Sequence, residues 1–328
     1  MNIRRVGFAL AALLLLGGVA EGAAAFFGPK LLPPDRSPLA KPGQVTPQEP
    51  NMVGDAAAGW RPKVGRQMSF GIPGGTTVNS RAMRGPEVPL AATRPRLLVL
   101  GDSTIFGVMV ADGDTIAARL ALAFPGVEVL NGGVPGYSSW QALHAFDDRF
   151  AELKPDMLLV ATLWSDTQGT EAPDATRLGG ARAPLLENSR AFVFLREWVR
   201  QARWGKRAEK VGFGISPVVA PSLRVPLGEY AANLRALATR APHVAYLVLP
   251  CVNDPAQGRV GDFRDAYREA MRETARDLGA PIIDAPPAFL GADAAKLFLD
   301  EVHPSAAGDA KIAALVAEAL GPWAASAR

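Results

Sequence analysis

The sequence has very little cysteine and histidine, with one cysteine, Cys251, and three histidines among 328 residues. A single cysteine excludes an internal disulfide and a cysteine-based metal cluster. Because Cys251 comes just after the apolar run 244–249, we predict that it is a small buried packing residue rather than a reactive thiol.

The chain also lacks a strong charge of either sign, since its formal net charge is only +3. Lysine and arginine are scattered along it rather than gathered into a stripe, so we expect no nucleic-acid partner. With 48% hydrophobic and 20% charged residues, the composition is typical of a protein with one large buried core and some appendages.

The first 27 residues have the pattern of a targeting segment. Arg4 and Arg5 precede the apolar run 6–20, and the small residues 23–25 fit a cleavage site, which predicts a secretory signal peptide. Continuing the run to Phe27 gives about the length that a bilayer span needs, so a retained signal-anchor is the alternative. Because the arginines precede the run, we expect an exported chain, periplasmic or extracellular, held at the membrane by residues 6–27 if these are not cleaved.

Residues 28–77 are rich in proline and glycine and show little periodicity, which predicts an extended tether. A folded domain is predicted over 78–322, where segments of strand and helix character alternate. Strands are predicted at 97–100, 127–130, 157–162, 245–249 and 281–283, and helices at 115–124, 138–150, 226–235, 261–278 and 305–320. This alternation predicts a parallel sheet covered by helices on both faces.

A helical insertion is predicted at about 167–240, between the third and fourth strands. Within 192–204, apolar residues recur at helical spacing with arginines between them. The pattern predicts an amphipathic helix packed on the sheet, with a mobile lid or a membrane-surface helix as alternatives.

A serine follows the first predicted strand of this domain. The run 97–100 ends at Gly101-Asp102-Ser103, and open α/β sheets place their chemistry at the carboxyl ends of strands. A serine hydroxyl is a weak nucleophile until an imidazole takes its proton. His303 is the candidate base, because Asp300 three residues earlier can hold one ring nitrogen; Glu301 is the alternative acid. The other two histidines fall in a predicted helix and a loop: His144 and His243.

Three short blocks resemble, in their order, those of the GDSL or SGNH hydrolase family: Gly101-Asp102-Ser103, Asn131–Gly136 and Asp300-x-x-His303. The resemblance covers about 78–320. It implies an α/β protein, a three-layer α/β/α sandwich with a central parallel sheet and the flavodoxin-like SGNH hydrolase fold. In that family pattern Ser103 is the nucleophile, His303 the general base and Asp300 its orienting acid. The resemblance implies neither a metal nor an organic cofactor.

Two segments near the serine have structural interpretations. Asp102 is expected to cap neighbouring backbone N–H groups in the turn. Residues 78–87 are similar to a segment that precedes the Gly-Asp-Ser strand in exported members of the family, and we expect them to form a surface loop.

The resemblance also implies donors that stabilise an oxyanion. The first two are the backbone N–H groups of Ser103 and Gly133. The third departs from the family pattern, because Leu163-Trp164-Ser165-Asp166 stands where the family carries Gly-x-Asn-Asp. Either the Ser165 hydroxyl donates in place of the asparagine amide, or the pocket differs and Trp164 shapes it.

These expectations describe a serine hydrolase that cleaves carboxylic esters through an acyl-enzyme outside the cytoplasm. Short-chain or carbohydrate acetyl esters are the expected substrates; glycan O-acetyl groups at the cell surface, lipid esters and thioesters also fit the resemblance. One alternative is an acyltransferase that moves O-acetyl groups onto cell-surface glycan. The other is a non-catalytic glycan-binding module in which Ser165 marks a decayed site, against which the intact Ser103, Asp300 and His303 argue.

Overall fold

The computed structural model describes residues 15–23, 25–26, 51–68, 70–170, 172–179, 191, 195, 210–211, 214–215, 222–254 and 263–327. In chain order the strands are β1 (Met52–Asp55), β2 (Gly59–Pro62), β3 (Gly65–Gln67), β4 (Thr76–Val78), β5 (Arg96–Gly101), β6 (Glu128–Asn131), β7 (Met157–Ala161), β8 (Gly169–Thr170), β9 (Lys210–Val211), β10 (Gly214–Ile215), β11 (Ser222–Leu223), β12 (His243–Val248) and β13 (Ile282–Asp284). The helices are α1 (Ser103–Phe106), α2 (Ile116–Ala123), α3 (Ser139–Ala145), α4 (Asp174–Arg177), α5 (Leu227–Ala238), α6 (Phe263–Leu278), α7 (Ala294–Leu297) and α8 (Ala306–Ser326). Short 3-10 helices occupy Asp112–Asp114, Ala151–Leu153 and Pro286–Phe289, and a π-helical segment, Phe146–Phe150, follows α3.

The central sheet is parallel and has the strand order β13-β12-β7-β5-β6. Numbered along the chain, its five strands stand in the order 2-1-3-4-5, which is the flavodoxin-like arrangement. Every residue of β5 and β7 is buried, as expected for strands covered on both faces. The predicted fold class is therefore confirmed.

Helices cover both faces of the sheet. On one face α2 packs against α8, and on the other α5 packs against both α3 and α6. Side-chain caps define several helix starts: Thr115 accepts from the Ala118 N–H at the start of α2, and Ser138 and Gln141 form a capping box at α3. The switch in strand order falls between β5 and β7, and a crevice opens at the carboxyl ends of such strands.

The tether predicted for residues 28–77 is wrong over 51–77. There β1 pairs with β2 and β3 with β4 in two antiparallel hairpins. Trp60 is buried and its indole N–H donates to the Pro135 carbonyl at 3.0 Å, while Gln141 donates to the Ala58 carbonyl at 2.6 Å. The glycines of this region make turns, as at Gly59 with φ of +86°, and strands of three or four residues are too short to show a periodicity. Residues 27–50 of the predicted tether lie outside the described residues.

The insertion at about 167–240 is not purely helical. Four two-residue strands form a small antiparallel sheet in the order β11-β8-β10-β9, beside α4 and α5. Strands this short leave no alternating pattern for sequence reasoning to detect. The amphipathic helix predicted within 192–204 lies outside the described residues except for Leu195, which is helical.

Residues 78–87 do not form the expected surface loop. Ala82 and Met83 are each 1% exposed, and Arg84 is also buried. Asn79 holds the turn, because its side chain accepts from the Arg81 and Met83 N–H groups and donates to the Pro86 carbonyl. A buried arginine with its charge satisfied inside the protein has no hydropathy signal, which explains the error.

The predicted targeting segment is covered only in part. Residues 15–23 and 25–26 are helical. Within the described part of the chain, no helix has both the length and the apolar character to cross a membrane.

Candidate active site

Ser103 lies at a sharp strand-to-helix turn. It follows β5 as the first residue of the four-residue helix α1, and the Asp102 carboxylate caps that helix by accepting from the Thr104 N–H at 3.0 Å. A Cβ on Gly101 would lie 2.5 Å from the Ile105 side chain and 2.8 Å from the Ala161 carbonyl oxygen, so only glycine fits before the turn. Burial raises the pKa of Asp102 despite this hydrogen bond. The turn thus fixes where Ser103 projects.

The Asp300–His303 loop is a self-contained unit before α8. Asp300 Oδ1 accepts from the backbone N–H groups of Val302 at 3.0 Å and His303 at 2.9 Å. Its Oδ2 lies 2.6 Å from His303 Nδ1. A backbone bridge between Phe298 and Pro304 closes the base of the loop. The three-residue spacing therefore lets one carboxylate shape the turn and at the same time orient the imidazole ring of His303.

The fold brings Ser103 and His303 together, although 200 residues separate them in sequence. His303 Nε2 lies 2.7 Å from Ser103 Oγ, and the histidine is only 6% exposed. Thr104 ties the two segments further, since its hydroxyl lies 3.4 Å from the Val302 carbonyl oxygen. Ser103, His303 and Asp300 form a continuous chain of contacts that can move a proton from serine to imidazole.

The Asp300 carboxylate is suited to remain ionised. Partial burial by itself would raise its pKa, but the hydrogen bonds from the His303 ring and from two backbone N–H groups outweigh burial and lower the pKa below its ordinary value. Glu301, the alternative acid, is engaged elsewhere, because its carboxylate pairs with Arg264 at 3.0 Å. The geometry thus favours Asp300 beside the imidazole.

Gly133 lies in the loop after β6, packed on α1. A Cβ there would lie 2.4 Å from the Phe106 nitrogen, so the position requires glycine for packing. Its N–H donates to Asn131 Oδ1 at 3.1 Å. Because that N–H is engaged inside the protein, a role for Gly133 as an oxyanion donor does not follow from this geometry.

Gly136, in the same loop, has an N–H that no described residue accepts. Val134 accepts from the Tyr137 N–H at 3.0 Å, and Gly136 has φ of +79° within this turn. A turn with Pro135 first and a positive-φ glycine second leaves the glycine N–H outside the turn's hydrogen bond. The described residues provide no acceptor for it. Sequence reasoning placed this glycine in the Asn131–Gly136 block but gave it no role.

Ser165 and Trp164 follow β7. Ser165 is 3% exposed, and its hydroxyl makes no hydrogen bond with the described residues. Trp164 is buried, with the guanidinium carbons of Arg264 and Arg268 at 5.7 and 5.5 Å from its ring. The predicted pocket residue Trp164 is thus buried beside two arginines in a cation–π arrangement.

Asp166 is a buried carboxyl that sequence reasoning assigned no role. Burial raises its pKa to about 7, although Oδ1 accepts from the Ser139 N–H at 2.8 Å. Its Oδ2 has no partner among the described residues. Arg224, which donates to Asp174 and to the Gly136 carbonyl at 2.7 Å, supplies positive charge nearby.

The remaining candidate groups lie outside this site. His144 stacks on Trp140, and its Nδ1 lies 2.7 Å from the Trp140 carbonyl oxygen, whereas His243 opens β12. Cys251 is buried, and burial raises the pKa of its thiol, in keeping with a packing role. Among the described residues, no group of three or more His, Cys, Asp or Glu side chains is arranged to hold a metal ion.

Solved structures with a similar backbone have low sequence identity to this chain. The enzyme LAE5, described as an alpha/beta hydrolase from the metagenome of Lake Arreo, Spain, has 18% identity and a TM-score of 0.47 over 71% of this chain and 97% of that one. A lipase/acylhydrolase from Enterococcus faecalis has 13% identity and a TM-score of 0.47 over 70% and 96%. Axe2, an acetylxylan esterase from Geobacillus stearothermophilus, has 18% identity and a TM-score of 0.45 over 69% and 94%. No curated protein matches the sequence.

A family profile matches the sequence as well. The profile of the GDSL-like Lipase/Acylhydrolase family covers residues 99–311, which is more than half of the chain. The matched range contains Ser103, Asp300 and His303 together with the loops after β6 and β7.

Proposed function

Because the chain belongs to the GDSL-like lipase/acylhydrolase family and is a serine esterase, we propose a mechanism for its described residues. In this mechanism Ser103, His303 and Asp300 cleave carboxylic esters through an acyl-enzyme. The observation that carries the proposal is the pair of contacts at His303, 2.7 Å from Ser103 Oγ and 2.6 Å from Asp300 Oδ2. A nucleophile, a base and an orienting acid in hydrogen-bond reach are what acyl transfer to serine requires.

The reaction begins when Ser103 Oγ attacks the ester carbonyl carbon and His303 Nε2 takes the hydroxyl proton. The resulting imidazolium is stabilised by the Asp300 carboxylate, whose lowered pKa keeps it ionised. His303 then protonates the leaving alkoxide as the C–O bond of the ester breaks, which leaves Ser103 acylated. Water, deprotonated by the same imidazole, hydrolyses the acyl-enzyme and regenerates the serine.

The tetrahedral intermediate carries an oxyanion that needs donors. We assign them to the Ser103 N–H, which has no acceptor among the described residues, to the Gly136 N–H in place of the Gly133 N–H, and to the Ser165 hydroxyl. The loop of Gly136 adjoins the nucleophile strand, because the Val134 N–H donates to the Gly101 carbonyl at 3.1 Å. In many acyl-transfer enzymes, fixed donors of this kind lower the activation free energy more than any other single feature of the site.

We assign short-chain or carbohydrate acetyl esters as substrates and place the reaction outside the cytoplasm. The support for location is Arg4 and Arg5 before the apolar run 6–20. Sequencing the amino terminus of the chain from membrane and soluble fractions of its host tests this assignment. A new terminus near residues 23–25 indicates cleavage, and an intact terminus in the membrane fraction indicates an anchor; an intact chain in the cytoplasmic fraction contradicts export.

The activity is tested with the full chain on p-nitrophenyl esters from acetate to long acyl chains. Ser103→Ala and His303→Ala are compared with Ser80→Ala, in which an exposed serine that bonds Glu87 is removed. We expect fastest hydrolysis of the acetate, loss in the first two variants and wild-type rates in the third. A wild type as inactive as Ser103→Ala, and unlabelled by a fluorophosphonate, contradicts the proposal. An acyl-enzyme that turns over slowly in water and faster with a glycan acceptor identifies an acyltransferase.

A further inference from the structure

Arg84 joins the segment before β5 to the nucleophile helix. Its side chain is 3% exposed and lies against the ring of Phe106, with its guanidinium carbon 5.5 Å from the ring centre. The guanidinium donates to the carbonyl oxygens of Phe106 at 2.8 Å, Gly107, and Val110 at 2.7 Å. It also pairs with Asp112 at 2.7 Å. One side chain thus holds three successive parts of the chain that leaves α1.

The carbonyl groups at the end of a helix lack partners within the helix, and α1 has only four residues. Arg84 engages the carbonyl of the last helical residue, Phe106, and that of Gly107, which caps the helix, and the Asn131 amide engages that of Ile105 at 2.9 Å. Arg84 and Asn131 are themselves joined by an antiparallel backbone bridge. The end of α1 therefore rests on two side chains whose backbones are fixed to each other.

The support reaches Ser103 through one further residue. The Gly107 N–H donates to the Ser103 carbonyl at 2.9 Å, and the Gly107 carbonyl accepts from Arg84. Gly107 has φ of +80°, and a Cβ there would lie 2.9 Å from Arg84 Nη1. A displacement of the guanidinium therefore shifts the peptide that holds Ser103 in place.

We propose that Arg84 is a positioning residue for catalysis, which sets the Ser103 hydroxyl and N–H against His303 and the oxyanion by holding the carbonyl end of α1. This inference rests on the proposed function of Ser103. Its hydrogen bonds go to Phe106, Gly107, Val110 and Asp112 and not to the triad, so it acts through the peptide groups of 106–107. A displacement of about 1 Å at a nucleophile can cost on the order of a hundredfold in rate.

Arg96 provides a matched control at the other end of β5. It is buried to a similar degree, and it donates to the carbonyl oxygens of Leu90 at 3.0 Å, Leu153 at 2.8 Å and Pro89, and to Glu128 at 2.6 Å. Like Arg84 it binds three carbonyls and one carboxylate, but it lies at the amino end of the strand, away from Ser103. A general need for buried arginines affects both residues alike.

The test compares Arg84→Lys, Arg84→Gln, Arg96→Lys and Arg96→Gln with wild type and Ser103→Ala in the full chain. Active sites are titrated with a fluorophosphonate, so that kcat is expressed per competent serine, and the melting temperature is measured for each variant. For Arg84→Gln we expect kcat per site to fall about tenfold to a hundredfold with KM changed less than about threefold. Arg84→Lys, which keeps the charge and part of the hydrogen bonding, recovers part of that loss. For the Arg96 variants we expect a lower melting temperature but a kcat per site within about twofold of wild type.

The inference is overturned if both Arg84 variants keep wild-type kcat per site while their melting temperature falls as in the Arg96 variants. Where Arg84→Gln does not fold, the lysine variant alone decides by the same criterion. A wild type without Ser103-dependent hydrolysis instead overturns the proposed function, so the two failures are distinguished by the Ser103→Ala control.

Discussion

A buried arginine binds backbone carbonyl groups near each end of β5, but the two ends differ in how many other buried polar groups have a hydrogen-bond partner. At the amino end, Arg96 has every side-chain nitrogen engaged, and the Asp156 carboxylate accepts from its backbone N–H at 2.8 Å. At the carboxyl end, Arg84 supports α1, but other groups nearby lack partners. Buried polar atoms without a partner among the described residues occur after β5 and β7 on four side chains: Asp102, Thr162, Trp164 and Asp166.

Buried polar groups are normally hydrogen-bonded, so unpaired ones require a reason. Those after β5 and β7 lie on the segments that leave the carboxyl ends of these two neighbouring strands, and the N–H groups of Ser103 and Gly136 are also without an acceptor among the described residues. A site that must stabilise transient charge needs donors that no internal acceptor has taken. We therefore propose that buried polar groups serve stability at the amino end of β5 and catalysis at its carboxyl end.

The largest effect is expected at the carboxyl end, for Asp300→Asn. The asparagine cannot stabilise an imidazolium and favours the wrong tautomer of His303, so kcat is expected to fall about 10³- to 10⁴-fold. The melting temperature should change little, because the Asp300 side chain is 30% exposed. Steady-state kinetics on p-nitrophenyl acetate measures the loss.

The control is Glu301→Gln, which removes the exposed ion pair between Glu301 and Arg264. We expect kcat of this variant to stay within about twofold of wild type. A greater loss in Glu301→Gln than in Asp300→Asn reverses the assignment of the orienting acid.

The second effect is expected at the amino end, for Arg96→Gln. Three carbonyl groups and Glu128 lose their donor, which lowers the free energy of unfolding by about 3 kcal/mol. Urea denaturation measures the change, and Arg94→Gln, which removes an exposed contact to Pro125, is expected to stay within about 0.5 kcal/mol of wild type. Equal stability of the two variants contradicts a stabilising role for the Arg96 contacts.

A smaller effect is expected for Ser165→Ala. Loss of one oxyanion donor costs about a hundredfold or more when that donor is rigid, and a hydroxyl that rotates contributes less, so we expect about a tenfold fall in kcat with KM unchanged. Ser165 is buried and the substitution removes only one atom, so the fold is preserved. Wild-type kcat in Ser165→Ala shows that the donors are backbone N–H groups alone.

An effect that depends on pH is expected in stability, through Asp166. Its pKa is raised from 3.8 to about 7 by burial, so the folded protein keeps a proton that the unfolded chain has already released. The stability that this group contributes is therefore fully present below about pH 4 and is lost as the pH rises to about 7. Asp166→Asn is expected to remove this slope and to raise the melting temperature at pH 8 by roughly 3 °C or more. An unchanged slope between pH 5 and 8 in Asp166→Asn shows that another group titrates.

Sequence reasoning succeeded where the physical cause is local. The runs 97–100 and 157–161 are apolar throughout, as in strands with both faces covered, and the structure places β5 and β7 there. The spacing of Asp300 and His303 is set by one turn, and their contact is also local. Arg84 was missed because three of its partners are backbone carbonyl groups, and Gly136 received no role because its candidate group is its own backbone N–H; every residue except proline carries both groups, so no sequence pattern marks them.

The parallel sheet, the order of its strands along the chain and the turns that present Ser103 and His303 could all be deduced from the sequence. Those features follow from patterns that extend over a few residues: the distribution of apolar residues, the glycines at turns and the side chains that cap helices. Other features depend on tertiary structure. Residues 51–77 pack on the core, Arg96 binds at the amino end of β5, and Arg84 binds the helix after its carboxyl end. The Gly133 amide is engaged, whereas the Gly136 amide has no acceptor in the part of the chain that the structure describes. The reason is that hydrogen-bond partners distant in sequence are chosen by packing, which depends on the whole chain at once.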